Sequence, residues 1–225
     1  MSASAKTPRE RYREQVREEV KEKAWQQIAS SGASALSLNA IAKQMGMSGP
    51  ALYRYFANRD ELITELIRDA YRSLADAFAD ASSGSERAGG GPDLATLARA
   101  LRHWALEDPH RYFLVYGTPV PGYHAPQDIT AIASEMMSAL LDACAAAGPR
   151  PDPAPQARAF EDHLAGHREW AGDHPDAPTP DLRLALAFWS RLHGVLSLEL
   201  AGHFTGMALD PDLLFESELG SLTAR

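Results

Sequence analysis

The chain has 225 residues, of which 45% are hydrophobic and 23% charged, with a single cysteine, Cys144, and a formal net charge of −8. This length and apolar content suffice for one ordinary domain and a smaller one, and a lone cysteine excludes an internal disulfide. Because neither an uninterrupted apolar run of 18 residues nor an apolar N-terminal segment occurs, we expect a cytoplasmic protein that neither spans a membrane nor is secreted.

The charges are unevenly distributed along the chain. Residues 1–60 carry ten Lys and Arg against six Asp and Glu, a net charge of +4. Residues 61–225 carry twelve Arg against twenty-four acids, a net charge of −12. A basic segment can approach a polyanion that would repel the acidic remainder, so the sequence predicts a basic head and an acidic body with separate roles.

Three helices are predicted in the head. The first runs from Pro8 or Arg9 to about Ser30, because its apolar residues recur every three or four positions in one stripe. The stripe comprises Val16, Val20, Ala24, Trp25 and Ile28. Two short helices follow over residues 37–45 and 49–55, and Gly46 breaks the chain between them.

A long fourth helix is predicted from Asn58 to about Ala79, since Glu61 stands three residues after Asn58 as in a capping box. The serines and glycines of residues 82–92 indicate a loop. Further helices are predicted over 93–107, 109–116, 126–147, 153–172, 179–205 and 211–222. The expected fold class is all-α, with nine to ten helices: a helix-turn-helix head over residues 1–57 and a larger helical domain over 58–225.

The two short helices and their glycine-containing turn form a helix-turn-helix pattern. In such a unit the first helix braces the second, whose N-terminus enters the major groove of DNA. The small residues Ser48, Gly49 and Pro50 allow this N-terminus to approach base edges closely, and its positive dipole end favours phosphate. The pattern therefore predicts a binding surface for double-stranded DNA.

The segment from Leu38 to Leu62 resembles the DNA-binding domain of the TetR family of transcriptional regulators. The matching residues are Ile41-Ala42, Gly46-Met47-Ser48, Leu52-Tyr53-Arg54-Tyr55-Phe56 and Asp60-Glu61-Leu62. Arg59 departs from the lysine that is usual in that family, a swap that keeps the charge but changes the geometry. The resemblance implies phosphate contacts by Ser37, Tyr53 and Arg59, base-edge positions for Ser48, Gly49, Pro50 and Tyr55, and further candidate contacts at Lys43 and Arg54.

Plainer interpretations of these side chains stay open. Tyr53 and Tyr55 could be packing aromatics, and Arg54 a solvated surface residue. Much of the basic run in the first helix alternates with glutamates and could form pairs four residues apart. Only its leading cations are expected to reach phosphate, namely Lys6, Arg9, Arg11 and Arg13.

The same resemblance makes the residues beyond about position 80 a ligand-sensing and dimerisation domain, and the segments 109–123 and 187–196 resemble one subfamily of the TetR family. Met and aromatic side chains suit an adaptable apolar cavity for an unknown small-molecule effector. The candidates are Trp104, Tyr112, Phe113, Tyr116, Met136, Met137 and Phe160. At helical spacing the same residues could equally be core.

A homodimer interface is predicted on the helix that begins near Leu182. Apolar residues occupy nearly all sides of this helix, so one protomer cannot cover every face. Small residues form a smooth strip at Gly194, Ser197 and Ala201, joined by Leu198, and the helix over 154–170 is the expected companion. Two heads about 34–36 Å apart would read successive major grooves of a palindrome.

Two other classes of function are weighed against this interpretation. His163 and His167 stand four residues apart, as in a two-histidine metal site, so a metal-responsive regulator is an alternative. No third ligand follows at a fixed spacing, and no P-loop, GxGxxG or GxSxG motif supports an all-α enzyme. We therefore expect no catalytic residues, resident metal or cofactor.

Taken with the resemblance, these patterns predict a ligand-responsive transcriptional regulator. We expect a repressor that binds a palindromic operator as a homodimer and is released by a small molecule. In this mechanism the effector selects a state in which the fourth helix has moved and changed the spacing of the heads.

Overall fold

A computed structural model describes residues 7–87, 91, 93–118, 126–148 and 154–224, and every regular element within these ranges is helical. The fold class is therefore all-α, as predicted. The described helices are α1 (Pro8–Ser31), α2 (Leu38–Gln44), α3 (Gly49–Leu52), α4 (Arg59–Arg87), α5 (Leu94–Glu107), α6 (Pro109–Tyr116), α7 (Gln127–Ala146), α8 (Pro155–Ala165), α9 (Thr179–Leu200) and α10 (Pro211–Thr223). Short 3₁₀ turns occur at Ala33–Ala35 and Glu169–Ala171.

The described residues form two compact units. The head unit takes its residues from positions 1–70 and 110–126, and the body unit takes its residues from 71–109 and 127–225. Helices α1, α2 and α3 lie in the head unit, whereas α5, α7, α8, α9 and α10 lie in the body unit, and α4 contributes to both. The functional boundary expected near residue 57 stays a prediction.

Helix α1 begins at a reciprocal cap that the sequence analysis did not identify. The Thr7 N–H donates to Glu10 Oε2 at 2.7 Å, and the Glu10 N–H donates to Thr7 Oγ1 at 3.3 Å. This capping box satisfies two backbone donors that have no partner inside the helix. Pro8 at the first helical position adds no further unsatisfied N–H, so α1 starts sharply here.

The apolar stripe of α1 forms one wall of the head core. Val16, Val20, Ala24 and Ile28 are buried as predicted, whereas Trp25 is only half-buried. The rest of this core comes from α2, α3, the residues after α3 and the start of α4, through Leu38, Ile41, Leu52, Phe56, Leu62, Ile63 and Leu66. Burial of each large side chain contributes about 1.5–3 kcal/mol, which holds the short helices α2 and α3 in place.

Helix α4 starts where the sequence predicts. The Glu61 N–H donates to the Asn58 side chain at 2.8 Å, and the Glu61 carboxylate accepts from the Ala57 N–H at 2.5 Å. Its predicted end near Ala79 is wrong, because the helix continues through the serines and glycine of 82–85 to Arg87. Extending an existing helix adds one hydrogen bond per residue, which offsets the modest helix-breaking tendency of these residues.

Helix α9 is the centre of the body unit and packs against α7, α8 and α10. Its buried face contributes Phe188, Leu192 and Leu196, and the neighbouring helices contribute Leu101, Trp104, Leu140, Leu141, Phe215 and Leu219. Cys144 lies buried in α7, where its side chain packs as a small apolar residue.

Two predicted helices of the body unit were too long. The helix expected over 153–172 ends at Ala165 and is followed by a 3₁₀ turn, since Gly166 caps it. The helix expected over 179–205 ends at Leu200, because the chain turns through Gly202, whose φ of +76° is favourable only for glycine.

An arginine in α5 joins the end of α9 to the start of α10. Arg102 Nη2 donates to Glu199 at 2.9 Å and also to Asp212, and the guanidinium lies 5.0 Å from the ring centroid of Phe215. Arg102 and Glu199 are both largely buried, so their attraction is weakly screened by solvent. This cluster fixes the turn between α9 and α10.

Within the part of the chain that the structure describes, α7 is the helix that meets a length-and-composition test for a membrane span. The qualifying window is Ile129–Ala146, with a mean hydropathy of 1.4. Core helices of soluble proteins pass the same test, so this finding is weak evidence.

Candidate nucleic-acid interface

The turn between α2 and α3 has the geometry that a helix-turn-helix requires. Ser37 caps α2 by accepting a hydrogen bond from the Ala40 N–H at 3.4 Å. Gly46 has a φ of +67°, and the next N–H, of Met47, reaches back to the Ala42 carbonyl at 2.9 Å. A side chain at Gly46 would be strained in this conformation, so glycine is what lets the chain reverse direction here.

Helix α3 is shorter than the predicted range of 49–55 and ends at Leu52. The following residues form turns, in which the Tyr55 N–H donates to the Leu52 carbonyl at 2.8 Å. Hydrogen bonds between residues three positions apart, as in a 3₁₀-helix, tighten the end of an α-helix. Leu52 and Phe56 are nevertheless fully buried in the head core.

Most of the residues predicted to contact DNA are accessible to a binding partner. Tyr53 has 44% of its surface exposed, which argues against the interpretation that it is only a packing aromatic. Tyr55 is half-buried and so contributes partly to packing. The other candidates are exposed or half-buried: Lys43, Ser48, Gly49, Pro50 and Arg54.

The three predicted phosphate contacts line one shallow pocket. This pocket has a volume of about 250 Å³ and brings together Ser37 from the start of α2, Tyr53 from the end of α3 and Arg59 from the start of α4. Its remaining lining comes from Leu36, Leu38, Asn39 and Asn58. A pocket that combines hydroxyl groups with a guanidinium suits a phosphate group chemically.

Arg59 also has a role inside the protein that the sequence did not suggest. Its Nε donates to the Leu36 carbonyl at 3.2 Å, and its Nη2 donates to the carbonyls of Ala33 and Ser34 at 2.8 and 3.3 Å. Nη1 lies 3.8 Å from Asp60 Oδ1. The guanidinium therefore holds the turn before α2, and a phosphate contact, which stays a prediction, would use Nη1.

Two polar residues near the pocket were missed in the sequence analysis. Gln27 in α1 accepts the Ser37 N–H at 3.0 Å through its side-chain oxygen and so fixes the start of α2. Asn39 is exposed in the pocket wall, and its Oδ1 lies 3.2 Å from the position that a Cβ on Gly49 would occupy. A polar residue in a single sequence does not reveal which distant segment it will contact. The tertiary fold brings Gln27 to Ser37 and Asn39 to Gly49.

Part of the basic charge of α1 is neutralised within the head unit. Lys21 lies 2.6 Å from Asp69 and 2.7 Å from Glu18, and Arg17 Nη2 lies 3.3 Å from Glu65. Burial lowers the pKa of Lys21, but the hydrogen bonds to Asp69 and Glu18 outweigh it, so the net pKa lies above its usual value. These two cations stabilise the packing of α1 on α4 and do not belong to the exposed basic surface.

The candidate ligand-binding residues differ in their surroundings. In the body unit, Trp104 is buried and its indole N–H donates to Ser73 at 2.9 Å, while Met136 is buried and Met137 half-buried. Phe160 is 42% exposed in the single chain. In the head unit, Tyr112 is fully buried, and Phe113 and Tyr116 lie beside it with ring centroids 5.5 and 5.4 Å away. Their contact with an effector stays a prediction.

Three of the candidate dimer residues lie along one side of α9, and Ala201 directly follows the end of this helix. Gly194, Leu198 and Ala201 are exposed and Ser197 is half-buried. Leu198 exposes 45% of its surface, a large fraction for an apolar side chain on a central helix. The neighbouring α10 exposes Leu213 and Gly220 as well.

The proposed two-histidine metal site does not gain a third ligand. The rings of His163 and His167 are stacked with centroids 4.1 Å apart, and His167 Nδ1 lies 2.9 Å from the His163 carbonyl. Among the residues whose positions are described, no group of three or more His, Cys, Asp or Glu side chains could hold a metal ion.

Sequence profiles match both parts of the chain. The profile described as "Bacterial regulatory proteins, tetR family" matches residues 22–66, which contain α2, α3 and the pocket. The profile described as "Tetracyclin repressor-like, C-terminal domain" matches residues 94–222. The two matches together cover more than half of the chain.

Full-length relatives and solved structures agree with these matches. The HTH-type transcriptional regulator Rv1816 of Mycobacterium tuberculosis (strain ATCC 25618 / H37Rv) is 37% identical over 88% of this chain and 87% of its own length, and Mb1846 of Mycobacterium bovis matches equally. The crystal structure of SCO4313, named as a regulatory protein, is 63% identical with a TM-score of 0.82, covering 96% of this chain and 98% of that one. A Rhodococcus sp. RHA1 structure of unknown function shares the fold, at 20% identity and a TM-score of 0.64 over 92% and 93% of the two chains.

Proposed function

This chain belongs to the TetR family of DNA-binding transcriptional regulators, and we propose that it is a cytoplasmic repressor released from DNA by a small molecule. The observation that carries the DNA-binding part of this proposal is the shallow pocket lined by Ser37, Tyr53 and Arg59, next to helix α3. Proteins of this family are generally non-enzymatic. We assign it no catalytic step.

On DNA, the pocket would receive one phosphate and so fix the position of α3 in the major groove. The Tyr53 hydroxyl and the Ser37 hydroxyl can donate to phosphate oxygens, and Arg59 Nη1 supplies positive charge. Ser48, Gly49, Pro50 and Tyr55 would then lie at or near base edges, with Lys43 at the adjacent backbone. Asn39 becomes a further candidate, because it lies between the pocket and the start of α3.

A homodimer would contact enough base pairs for sequence-specific binding. One α3 helix contacts only a few base pairs, whereas two copies related by a two-fold axis read a palindrome. We place the interface on the exposed side of α9, at Gly194, Ser197, Leu198 and Ala201. Helix α10 is a further candidate companion beside the predicted segment 154–170, because its exposed Leu213 and small Gly220 extend the same type of surface.

Release by an effector would operate through a shift in populations. A small molecule that binds one state of the body more tightly makes that state more abundant, and α4 contributes residues to both units. A coupling free energy of about 1–3 kcal/mol would weaken operator binding about 5- to 150-fold. The aromatic and methionine candidates of the body unit are the residues we expect to contact the effector, namely Trp104, Met136, Met137 and Phe160.

The proposal is tested by selecting bound duplexes from a random pool with the full-length chain. The expected result is a palindromic consensus whose half-sites are centred about 10 base pairs apart or a multiple of that. Tyr53→Ala in a parallel selection should recover little DNA. A non-palindromic consensus would contradict the homodimer, and the absence of any enrichment would contradict operator binding.

A further inference from the structure

The first two turns of α1 extend beyond the head core. The stripe that is buried at Val16 and Val20 continues toward the N-terminus, at spacings of three and four, through Arg9, Tyr12 and Arg13. All three are exposed, and Tyr12 exposes 63% of its surface. We refer to these three residues as the α1 overhang.

Charge is segregated around this part of the helix. At 100° per residue, Arg9 and Arg13 lie about 40° apart, whereas Glu14 and Glu18 lie about 100–180° from them and Glu10 lies between the two groups. Glu10 is further engaged by the Thr7 cap. Arg11 was also expected to reach phosphate, but it projects from the side of α1 that carries Glu14 and Glu18, so we drop that expectation for Arg11. Lys6, the other cation of that prediction, lies outside the described residues. The α1 overhang is therefore a compact cationic and aromatic surface.

This surface adjoins the reader helix. Arg13 Nη2 donates to the Arg54 carbonyl at 3.4 Å, and one turn later Arg17 donates to the Tyr55 carbonyl and stacks on the Phe56 ring at 4.1 Å. These contacts hold α1 against the residues that follow α3. The α1 overhang is thus joined to the residues that follow the C-terminal end of α3. Arg54, which is exposed there, adds another cation.

We propose that the α1 overhang is a second DNA-backbone contact, which binds phosphates that flank the base pairs read by α3. Arg9 and Arg13 can each neutralise a phosphate, and the Tyr12 hydroxyl can donate to a phosphate or sugar oxygen. The occupant is a nucleic-acid backbone because a polyanion complements two exposed guanidinium groups and a phenolic hydroxyl. Such contacts add affinity without reading sequence, and the inference rests on the DNA-binding role proposed above.

The test compares Arg9→Ala with Arg11→Ala, its matched control two residues along the same helix. Binding of the full-length chain to its selected duplex is measured at several salt concentrations. Each phosphate contact contributes about 0.9 to the slope of log affinity against log salt. We expect Arg9→Ala to lower the slope by about one per head and to weaken binding, and Arg11→Ala to leave both the slope and the affinity nearly unchanged.

Tyr12→Phe removes a hydroxyl but no charge, so it should weaken binding several-fold without a change of slope.

Three outcomes would decide the matter. Equal salt slopes for the Arg9 and Arg11 variants, on a wild type that binds, would overturn this inference alone. An altered consensus for Arg9→Ala would also overturn it, since the contact would then be reading bases. Failure of the wild type to bind any duplex would overturn both this inference and the proposed function. Thermal unfolding of each variant, expected to match wild type, separates lost contacts from lost folding.

Discussion

At the residue scale, the pocket beside α3 shows how one side chain can have a structural and a binding role. Arg59 uses a planar fork of donors to hold three carbonyls of the turn before α2. A lysine at this position carries the same charge but cannot present donors in that fork. The departure from the usual family residue is therefore explained by an internal contact.

We predict that Arg59→Lys lowers the stability of the head by about 1 kcal/mol and weakens DNA binding, although the charge is retained. Stability is measured by thermal unfolding, and affinity by titration with the selected duplex. Arg54→Lys, at an exposed position, serves as the matched control and should have little effect on stability. An Arg59→Lys protein with wild-type stability and affinity would show that the carbonyl contacts are unimportant.

Tyr53 gives a sharper prediction about binding. Because it is 44% exposed, Tyr53→Ala should change the unfolding temperature little while it weakens DNA binding at least tenfold, about 1.4 kcal/mol. Tyr53→Phe retains the ring and removes only the hydroxyl. If the hydroxyl contacts phosphate, the Phe variant should bind nearly as weakly as the Ala variant. Unchanged affinity in both variants would show that Tyr53 does not contribute to DNA binding.

His193 makes the stability of the body depend on pH. Burial lowers its pKa from 6.5 to about 4, so between these values the unfolded chain takes up a proton that the folded chain does not. Stability contributed by the neutral ring is therefore lost as pH falls below about 6.5, by about 2 kcal/mol between pH 7 and 5.

This pH effect is measured by denaturant unfolding at both pH values, with His193→Gln as the comparison. The variant should lose less stability than wild type on going from pH 7 to 5. Parallel losses in the two proteins would mean that other groups, chiefly carboxylates, account for the whole pH dependence.

At the element scale, the sequence was sufficient for helix identity and less so for helix ends. The stripe of α1 and the cap at Asn58 were predicted correctly, because spacing and capping chemistry are local. The end of α4 was misplaced, since composition suggested a loop where continued hydrogen bonding favoured a helix. The end of α8 was misplaced in the other direction, because an apolar pattern continues past Gly166 into a 3₁₀ turn.

In the candidate site, too, local features could be predicted from the sequence and long-range contacts could not. The exposed positions of Ser48 and Tyr53 followed from the motif, whereas the roles of Gln27 and Asn39 depend on distant segments that the fold brings together. Hydrogen bonds from Arg59 to the turn before α2 span more than 20 residues of sequence. Contacts of that range carry no periodic signal, so one sequence does not reveal them.

At the scale of the whole molecule, assembly is the property most open to test. A Cβ at Gly194 would meet no atom within 4 Å inside the chain, so Gly194→Leu should not disturb folding of the single protomer. If α9 packs against its copy, the bulky side chain should separate the protomers or shift them to aggregates. Gly84→Leu on α4, also in open space within a helix, is the matched control.

Light scattering with size-exclusion chromatography measures the outcome of this substitution. We expect a dimer for wild type and Gly84→Leu and a loss of the dimer for Gly194→Leu. Operator affinity should fall together with the dimer. A Gly194→Leu protein that remains a stable dimer would move the interface to another surface.

The single thiol of the chain offers a direct view of motion in the body. Cys144 is fully buried in α7, so a thiol reagent can modify it only when this region opens. The labelling rate of the native protein therefore measures how often the body opens, with no engineered probe. Compounds that slow this labelling would be identified as ligands of the folded body before any operator is known.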